Sequence, residues 1–142
     1  MSIDQDKLDQ KMAENTLLES LGIQITDIKG DYIEGTMPVD TRTHQPYGLL
    51  HGGASAALIE TLGSFGSHMA VDASQFASVG IEINCTHIRG KRSGVVTGKA
   101  HLVHKGRKLH LWNVDIVDEE SKLIATGKLT VMIVEKSSLR ER

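Results

Sequence analysis

The stretch that decides the fold is residues 45–69, QPYGLLHGGASAALIETLGSFGSHM. A loop containing Pro46 and Gly48 leads to a glycine pair, and a long segment of small and apolar residues follows. At 100° per residue, the larger apolar side chains recur on one stripe, as on a helix that packs onto a core; they are Ala54, Leu58, Leu62, Phe65 and Met69. We therefore predict one long helix of about 18 residues.

The opposite face of this helix carries tiny side chains and one carboxylate: Gly53, Ala56, Glu60, Gly63, Ser64 and Ser67. Such a face lets another backbone or a ligand come close, so we predict that the helix is buried on both sides. A buried carboxylate costs several kcal/mol unless it is paired or neutralised. Glu60 is therefore either a functional acid or base, or a structural acid that is hydrogen-bonded to a partner backbone or to Ser64.

Length and composition bound the class of protein. At 142 residues and 39% hydrophobic content, the chain fits a single domain, residues 1–142. The polar start and the lack of a long apolar run predict no signal peptide or membrane span, so we expect a cytoplasmic protein. The single cysteine, Cys85, excludes an intrachain disulfide and a multi-cysteine zinc site. A net charge of -2 argues against nucleic-acid or membrane binding.

The segments that flank the long helix read mostly as strands. Before it, a helical segment at about residues 1–20 includes a capping box from Thr16 to Glu19 and stops at Gly22, and a hairpin follows over residues 23–39. After it come four strands with alternating polarity or short turns between them, at residues 77–86, 95–104, 108–117 and 123–134. The charged tail, residues 135–142, is expected to be disordered.

Short links between successive strands imply antiparallel pairing. The economical arrangement is an α+β domain in which a curved antiparallel sheet wraps around one central helix. A single sheet covers only one side of that helix. We therefore expect a second subunit on the side of Glu60, in a symmetric dimer.

Residues 48–54, GLLHGGA, with an acid nine positions after the histidine, resemble the hot-dog-fold acyl-CoA thioesterases over nearly the whole chain. The branch with the greatest similarity includes phenylacetate-pathway, 4-hydroxybenzoyl-CoA and 1,4-dihydroxy-2-naphthoyl-CoA thioesterases. The last of these is the most alike, through residues 37–40, 43–53 and 80–84. The resemblance implies hydrolysis of an aromatic acyl-CoA by a homodimer that pairs into a homotetramer. It implies no cofactor, because coenzyme A is part of the substrate.

The same resemblance assigns the catalytic groups. Glu60 corresponds to the carboxylate that attacks the thioester carbonyl or activates a water, and burial favours base work by raising a carboxyl pKa. The N-H of Gly52, at the positive end of the helix, and the amide of Gln45 are the expected donors to the carbonyl oxygen. Ser64 is expected to hold a water or orient the carboxylate, and His51 to position the loop. From the residues alone, Gly52 can equally serve a tight loop-to-helix turn, and an ordinary polar loop residue is the favoured interpretation of Gln45.

Coenzyme A needs positive charge for its phosphates and exposed backbone for its pantetheine arm. The expected binding residues are Gly80, Glu82, Asn84, His87, Arg89, Lys91, Arg92, Lys105 and Arg107. For any one of the basic residues, a solvated turn is the simpler interpretation. The resemblance leaves two alternatives, a non-catalytic acyl-CoA binding protein and a hot-dog dehydratase.

Two other kinds of site are excluded by spacing. Seven histidines are present, but none form a helical i, i+4 pair, and His101 and His104 point to opposite faces of a strand, so no metal site is expected. Ser55 and Ser64 lack the strand-to-helix elbow of a nucleophilic serine.

Overall fold

The computed structural model describes residues 11–141. Residues 11–13 are helical, and two further α-helices follow, α1 (Leu17–Leu21) and α2 (Gly52–Ala70). The strands are β1 (Gln24–Lys29), β2 (Tyr32–Val39), β3 (Phe76–His87), β4 (Gly94–Lys105), β5 (Leu109–Val117) and β6 (Leu123–Glu135). The predicted order of two strands, one long helix and four strands is confirmed.

All six strands form one antiparallel sheet in the order β1-β2-β4-β5-β6-β3. The long helix α2 carries the chain from β2 across the sheet to β3, which forms the opposite edge. Four of the strand pairs contain a register shift, and such bulges increase the twist and bend of a sheet. The expected α+β hot-dog architecture, a curved sheet around a central helix, is confirmed.

The packing of α2 on the sheet depends on two glycines. Gly35 in β2 and Gly98 in β4 are direct cross-strand partners, so two adjacent positions lack side chains. The methyl groups of Leu62 fill this space: a Cβ atom on Gly35 would lie 2.8 Å, and one on Gly98 2.5 Å, from a Leu62 methyl. Leu58 and Leu62 are fully buried as a result, which fixes the rotation of α2 about its axis.

The sheet covers more of α2 than the helical wheel predicts. Ala54, Leu58, Leu62 and Phe65 are buried as expected, but so are Gly63 and Ser67, which we assigned to the partner-facing side. That assignment was wrong, because the curved sheet reaches around the helix: Gly63 packs on Leu129, and Ser67 bonds to side chains of β5. The face left open within one chain comprises Gly53, Ala56, Ala57, Glu60, Thr61, Ser64 and His68.

The ends of the chain differ from expectation in two ways. The Thr16 side chain does not cap α1 but donates to the carbonyl of Ala13, and Glu19 accepts from the N-H of Asn15, so the capping box is wrong. Gly22 does end the helix, in the left-handed conformation with φ of 70°. Residues 136–141 of the expected disordered tail form a 3₁₀ helix, Lys136–Glu141. The predicted helical segment before residue 11 lies outside the described residues.

The edge strand β3 exposes apolar side chains in the single chain. Its alternation predicted a half-buried strand, yet Val79, Ile81 and Ile83 are 37%, 50% and 38% exposed. A register shift between Gly80 and Glu82 interrupts the alternation, and β3 pairs with β6 on one side only. A long apolar edge of this kind is a surface that proteins usually cover.

Candidate active site

The N-terminal end of α2 carries an unpaired backbone donor. His51 is the N-cap, and its Nδ1 accepts a hydrogen bond from the N-H of Gly53 at 2.7 Å, so the ring proton is on Nε2. The N-H groups of Ala54 and Ser55 both donate to the His51 carbonyl. Among residues 11–141, the N-H of Gly52 has no acceptor. A free donor at the positive end of a helix is suited to hold a developing negative charge.

The loop before α2 holds Gln45 with one side of its amide free. The Gln45 N-H donates to the Leu49 carbonyl at 2.8 Å, and its carbonyl accepts from the N-H of Gly48 at 2.9 Å. Its side-chain oxygen accepts from the N-H of Tyr47. The amide oxygen is therefore used within the loop, whereas the amide NH₂ remains available as a donor.

Glu60 lies in the middle of α2 with its carboxylate over Gly80 of β3. The contact is so close that a Cβ atom on Gly80 would collide with the carboxylate. Burial raises the pKa of Glu60 above its ordinary value, and no charge or hydrogen bond from the described residues offsets this effect. Among the described residues, the Ser64 hydroxyl forms no hydrogen bond to the Glu60 carboxylate. The hydrogen bond recorded at Ser64 involves its carbonyl, which accepts from the Ser78 hydroxyl at 3.1 Å. The interpretation of Glu60 as an acid paired within its own chain is therefore not supported.

One chain does not bring Glu60 and Gly52 together. They are eight residues apart on one helix, which corresponds to about 12 Å along the axis. A carboxylate that attacks a carbonyl carbon and a donor to the same carbonyl oxygen must both lie within about 3 Å of the reacting group. The two groups therefore cannot act on one thioester from the same chain.

His87, expected to contact coenzyme A, lies beside Gly52. A Cβ atom on Gly52 would lie 2.8 Å from His87 Nε2, 2.9 Å from its Cε1 and 3.4 Å from its Cδ2, so the face of the imidazole ring packs on this glycine. The Nδ1 atom of the same ring is 3.8 Å from the sulfur of Cys85. Burial raises the pKa of the Cys85 thiol, which favours its protonated form.

The two basic clusters lie at opposite ends of α2. Lys91 and Arg92 contact the loop before the helix, since the Lys91 carbonyl accepts from the N-H of Leu50 and the Arg92 guanidinium donates to the Tyr47 carbonyl. Lys91 also forms a 2.7 Å ion pair with Glu119. Lys105 and Arg107 instead line a cleft of roughly 530 Å³ beside Val71, at the C-terminal end of α2.

Glu82 and Asn84 share a shallow depression with Val103, Leu111 and Lys128. Leu111 alternates with the buried His110 and Trp112, so this depression is on the face of the sheet away from α2. Within one chain the two polar side chains are therefore separated from Glu60 by the sheet.

A buried polar cluster was missed. The hydroxyl of Ser67 is 2.8 Å from His110 Nδ1 and accepts from the Trp112 indole N-H at 2.8 Å. Burial, with the charge of Lys105 as a smaller cause, lowers the pKa of His110. The signal was the alternation of residues 110, 112, 114 and 116, which marks His110 as inward-facing.

Within residues 11–141, no three His, Cys, Asp or Glu side chains form a group that could hold a metal ion. Across the same range, no helix is both long and apolar enough to cross a membrane.

Comparisons with known proteins identify the family of the chain. The thioesterase superfamily model matches residues 47–125. The proofreading thioesterase EntH of Cronobacter turicensis is 46% identical over 119 residues, which cover 84% of this chain and 86% of that protein. The 1,4-dihydroxy-2-naphthoyl-CoA hydrolase of Escherichia coli K12 is 41% identical over 123 residues, covering 87% and 90% respectively.

Solved structures share the fold over most of their length. A thioesterase of Pseudomonas aeruginosa, solved with a glutamine replaced by alanine, superposes with a TM-score of 0.90 at 40% identity and covers 95% of this chain and 96% of its own. A Staphylococcus aureus thioesterase, solved as a glutamate-to-alanine and a glutamine-to-alanine variant, gives TM-scores of 0.83 and 0.81 at 37% identity. These two structures cover 84% and 82% of this chain, and 99% and 97% of their own. The chain belongs to the thioesterase superfamily and is a thioester hydrolase.

Proposed function

We propose that this protein hydrolyses acyl-CoA thioesters as a homodimer, with each active site built from both subunits. One observation carries the proposal: the carboxylate of Glu60 has no partner among residues 11–141, and residue 60 is about 12 Å along the helix axis from Gly52, whose N-H has no acceptor in the same range. In the dimer, Glu60 of one subunit faces the carbonyl that Gly52 and Gln45 of the other subunit bind.

The edge strand β3 provides the dimer contact. Its exposed Val79, Ile81 and Ile83 and its unpaired backbone suit the addition of a second copy of the same strand. Antiparallel pairing sets the first half of one strand opposite the second half of the other. Because Glu60 lies over Gly80 and Gly52 lies beside His87, this pairing brings Glu60 towards the partner's Gly52. A tetramer made from two such dimers stays a prediction from the resemblance.

The chemistry follows from these groups. Glu60 acts either as the nucleophile, through an anhydride that water then opens, or as the base that takes a proton from water. In both routes the C-S bond breaks, the acyl group gains the oxygen of water, and the thiolate leaves and is protonated. Gly52 and Gln45 donate to the carbonyl oxygen as it becomes negative. His51 holds the first turn of α2, and Ser64, one turn after Glu60, orients the water.

The spacing of Gln45 and Glu60 supports their pairing. In the Staphylococcus aureus thioesterase, the substituted glutamine and glutamate are at positions 32 and 47 of that protein, fifteen apart. Gln45 and Glu60 are also fifteen positions apart. The same separation across a loop and a helix start is expected if both residues serve one site.

We propose an aromatic acyl-CoA as substrate, with 1,4-dihydroxy-2-naphthoyl-CoA first. The resemblance of residues 37–40, 43–53 and 80–84 and the 41% identity to the Escherichia coli hydrolase support this choice. A proofreading thioesterase is the second candidate, since identity to EntH is 46%. The basic residues at the helix start, Arg89, Lys91 and Arg92, are proposed to meet the CoA phosphates. A cofactor-free reaction and a cytoplasmic location stay predictions.

The test is release of free thiol from aromatic, short and long acyl-CoAs. Glu60→Gln and Glu60→Ala are each expected to lower activity by about 1,000-fold, which is the middle of the usual range for loss of a general base. Glu120→Gln, an exposed acid paired with Lys122, is the matched control and should retain activity. Binding of acyl-CoA without thiol release by the wild type would favour a binding protein. Dehydration of a hydroxyacyl-CoA would favour a dehydratase.

A further inference from the structure

One hydrogen bond ties the helix that carries Glu60 to the edge strand of the sheet. The Ser78 hydroxyl, on β3, donates to the Ser64 carbonyl of α2 at 3.1 Å. Among residues 11–141, it is the only hydrogen bond between these two elements. A carbonyl oxygen has two lone pairs, so it can accept from Ser78 in addition to its bond within the helix. The hydroxyl therefore adds a connection that the helix does not itself need.

Ser78 and Gly80 contact α2 at two points with matching spacing. Residues two apart on a strand face the same side and are about 7 Å apart along it. Glu60 and Ser64 are one helical turn apart, about 6 Å along the axis. Ser78 bonds to Ser64 while Gly80 lies against the Glu60 carboxylate. The two contacts together define one register of the helix on the strand.

The rest of this part of β3 offers little else to hold that register. Val79 and Ile81 are 37% and 50% exposed, so they do not pack on α2 within one chain. Gly80 has no side chain with which to bond the helix, and the pairing of β3 with β6 shifts register between Gly80 and Glu82. Ser78 is thus the last residue before this irregularity whose side chain bonds to α2.

We propose that Ser78 is a positioning residue for the reaction, whose hydroxyl, through the Ser64 carbonyl, holds α2 in the register that keeps the Glu60 carboxylate over Gly80. This inference rests on the proposed function and deepens it. Ser78 acts through Ser64 and Glu60 and does not itself touch the thioester. A polar residue on the inner side of the edge strand then serves the aim of the acid.

A pair of variants with nearly the same shape tests the hydroxyl. Ser78→Val removes it and is expected to lower kcat by about 2- to 10-fold, the factor that corresponds to one ordinary hydrogen bond. KM should stay near the wild-type value, because the bond acts on the aim of the acid and not on substrate binding. Ser78→Thr keeps the hydroxyl and should stay near wild type. Ser78→Ala adds no atom, so it should behave as Ser78→Val even if the larger side chains are not accommodated.

Ser138→Ala is the matched control. The Ser138 hydroxyl also donates to a backbone carbonyl, that of Glu135, at 2.7 Å, but in the exposed 3₁₀ helix at the end of the chain. Its loss should leave kcat unchanged. Urea denaturation of each variant gives the free energy of unfolding, which separates a loss of stability from a loss of rate in the folded enzyme.

Combination with Gly80→Ala tests whether Ser78 acts through Glu60. Both substitutions are expected to disturb the position of the same carboxylate. The double variant should therefore lose less kcat than the product of the two single losses. Losses that multiply in full would show that Ser78 acts independently of the carboxylate and would overturn the inference.

Equal kcat values for Ser78→Val and Ser78→Thr, or a Ser78→Ala variant that loses stability and keeps its kcat, would also overturn the inference and leave the proposed function intact. Absence of thiol release by the wild type from every acyl-CoA would instead refute the proposed function, and this inference with it.

Discussion

Glu60 and Gly80 are in contact across α2 and β3, with the carboxylate resting on the glycine where a side chain would otherwise be. The Glu60 carboxylate can therefore occupy this position only because residue 80 has no Cβ atom. The edge strand both positions Glu60 and leaves it open towards whatever pairs with that edge.

Gly80→Ala is expected to displace the Glu60 carboxylate and lower kcat by about 10-fold or more, since small misplacements of a reacting group are costly. The free energy of unfolding should also fall, because the new methyl group overpacks the site. In a Glu60→Ala background the methyl has room, so the stability cost of Gly80→Ala should largely disappear in urea denaturation. An equal cost in both backgrounds would contradict the contact.

The pH dependence of activity should report the raised pKa of Glu60. The reacting form is the carboxylate, so kcat/KM should fall as pH decreases through that pKa. Because burial raises the pKa, the midpoint should lie above the ordinary value of 4.5. A pH profile for an acyl-CoA between pH 4 and 8 measures it, and a midpoint at or below 4.5 would be inconsistent with the buried carboxylate.

The same pKa has a consequence of opposite sign for stability. A carboxyl whose pKa is raised on folding binds more protons in the native state, so its contribution becomes less favourable as pH rises from 4.5 through the raised value. Glu60→Gln should therefore be more stable than wild type at pH 7, with the difference shrinking towards pH 4. Thermal melts of both proteins across this range measure it, with Glu120→Gln as the control that shows no such trend.

The cluster of Ser67, His110 and Trp112 should matter for stability and not for chemistry. Ser67→Ala leaves the buried Trp112 N-H and His110 Nδ1 without their shared partner, at a cost of about 1–3 kcal/mol. Urea denaturation followed by Trp112 fluorescence measures the loss, and Ser74→Ala in an exposed turn is the control. A large fall in kcat for the folded variant would show that the cluster has a role in catalysis.

Local pattern was sufficient for the order of elements, for the stop at Gly22 and for the inward face of α2 from Ala54 to Phe65, because each depends on residues close in sequence. Whether Gly63 and Ser67 face the sheet depends on how far the sheet curves around α2. A helical wheel gives no information about that curvature. The contact of His87 with Gly52 spans 35 positions and arises only when β3 returns along α2. At Thr16, a competing bond to Ala13 replaced the expected cap.

The division of each active site between two subunits can be tested by mixing two inactive variants. Gln45→Ala removes a donor from one side and Glu60→Gln removes the acid from the other. In a mixed dimer, one active site contains both substitutions and the other contains neither. The site without substitutions should be active. Random exchange makes half of the dimers mixed, and about a quarter of wild-type activity should return. Thiol release is measured before and after subunit exchange, with each variant alone as the control. If both residues served one site within a single subunit, every site would keep a defect and no activity would return.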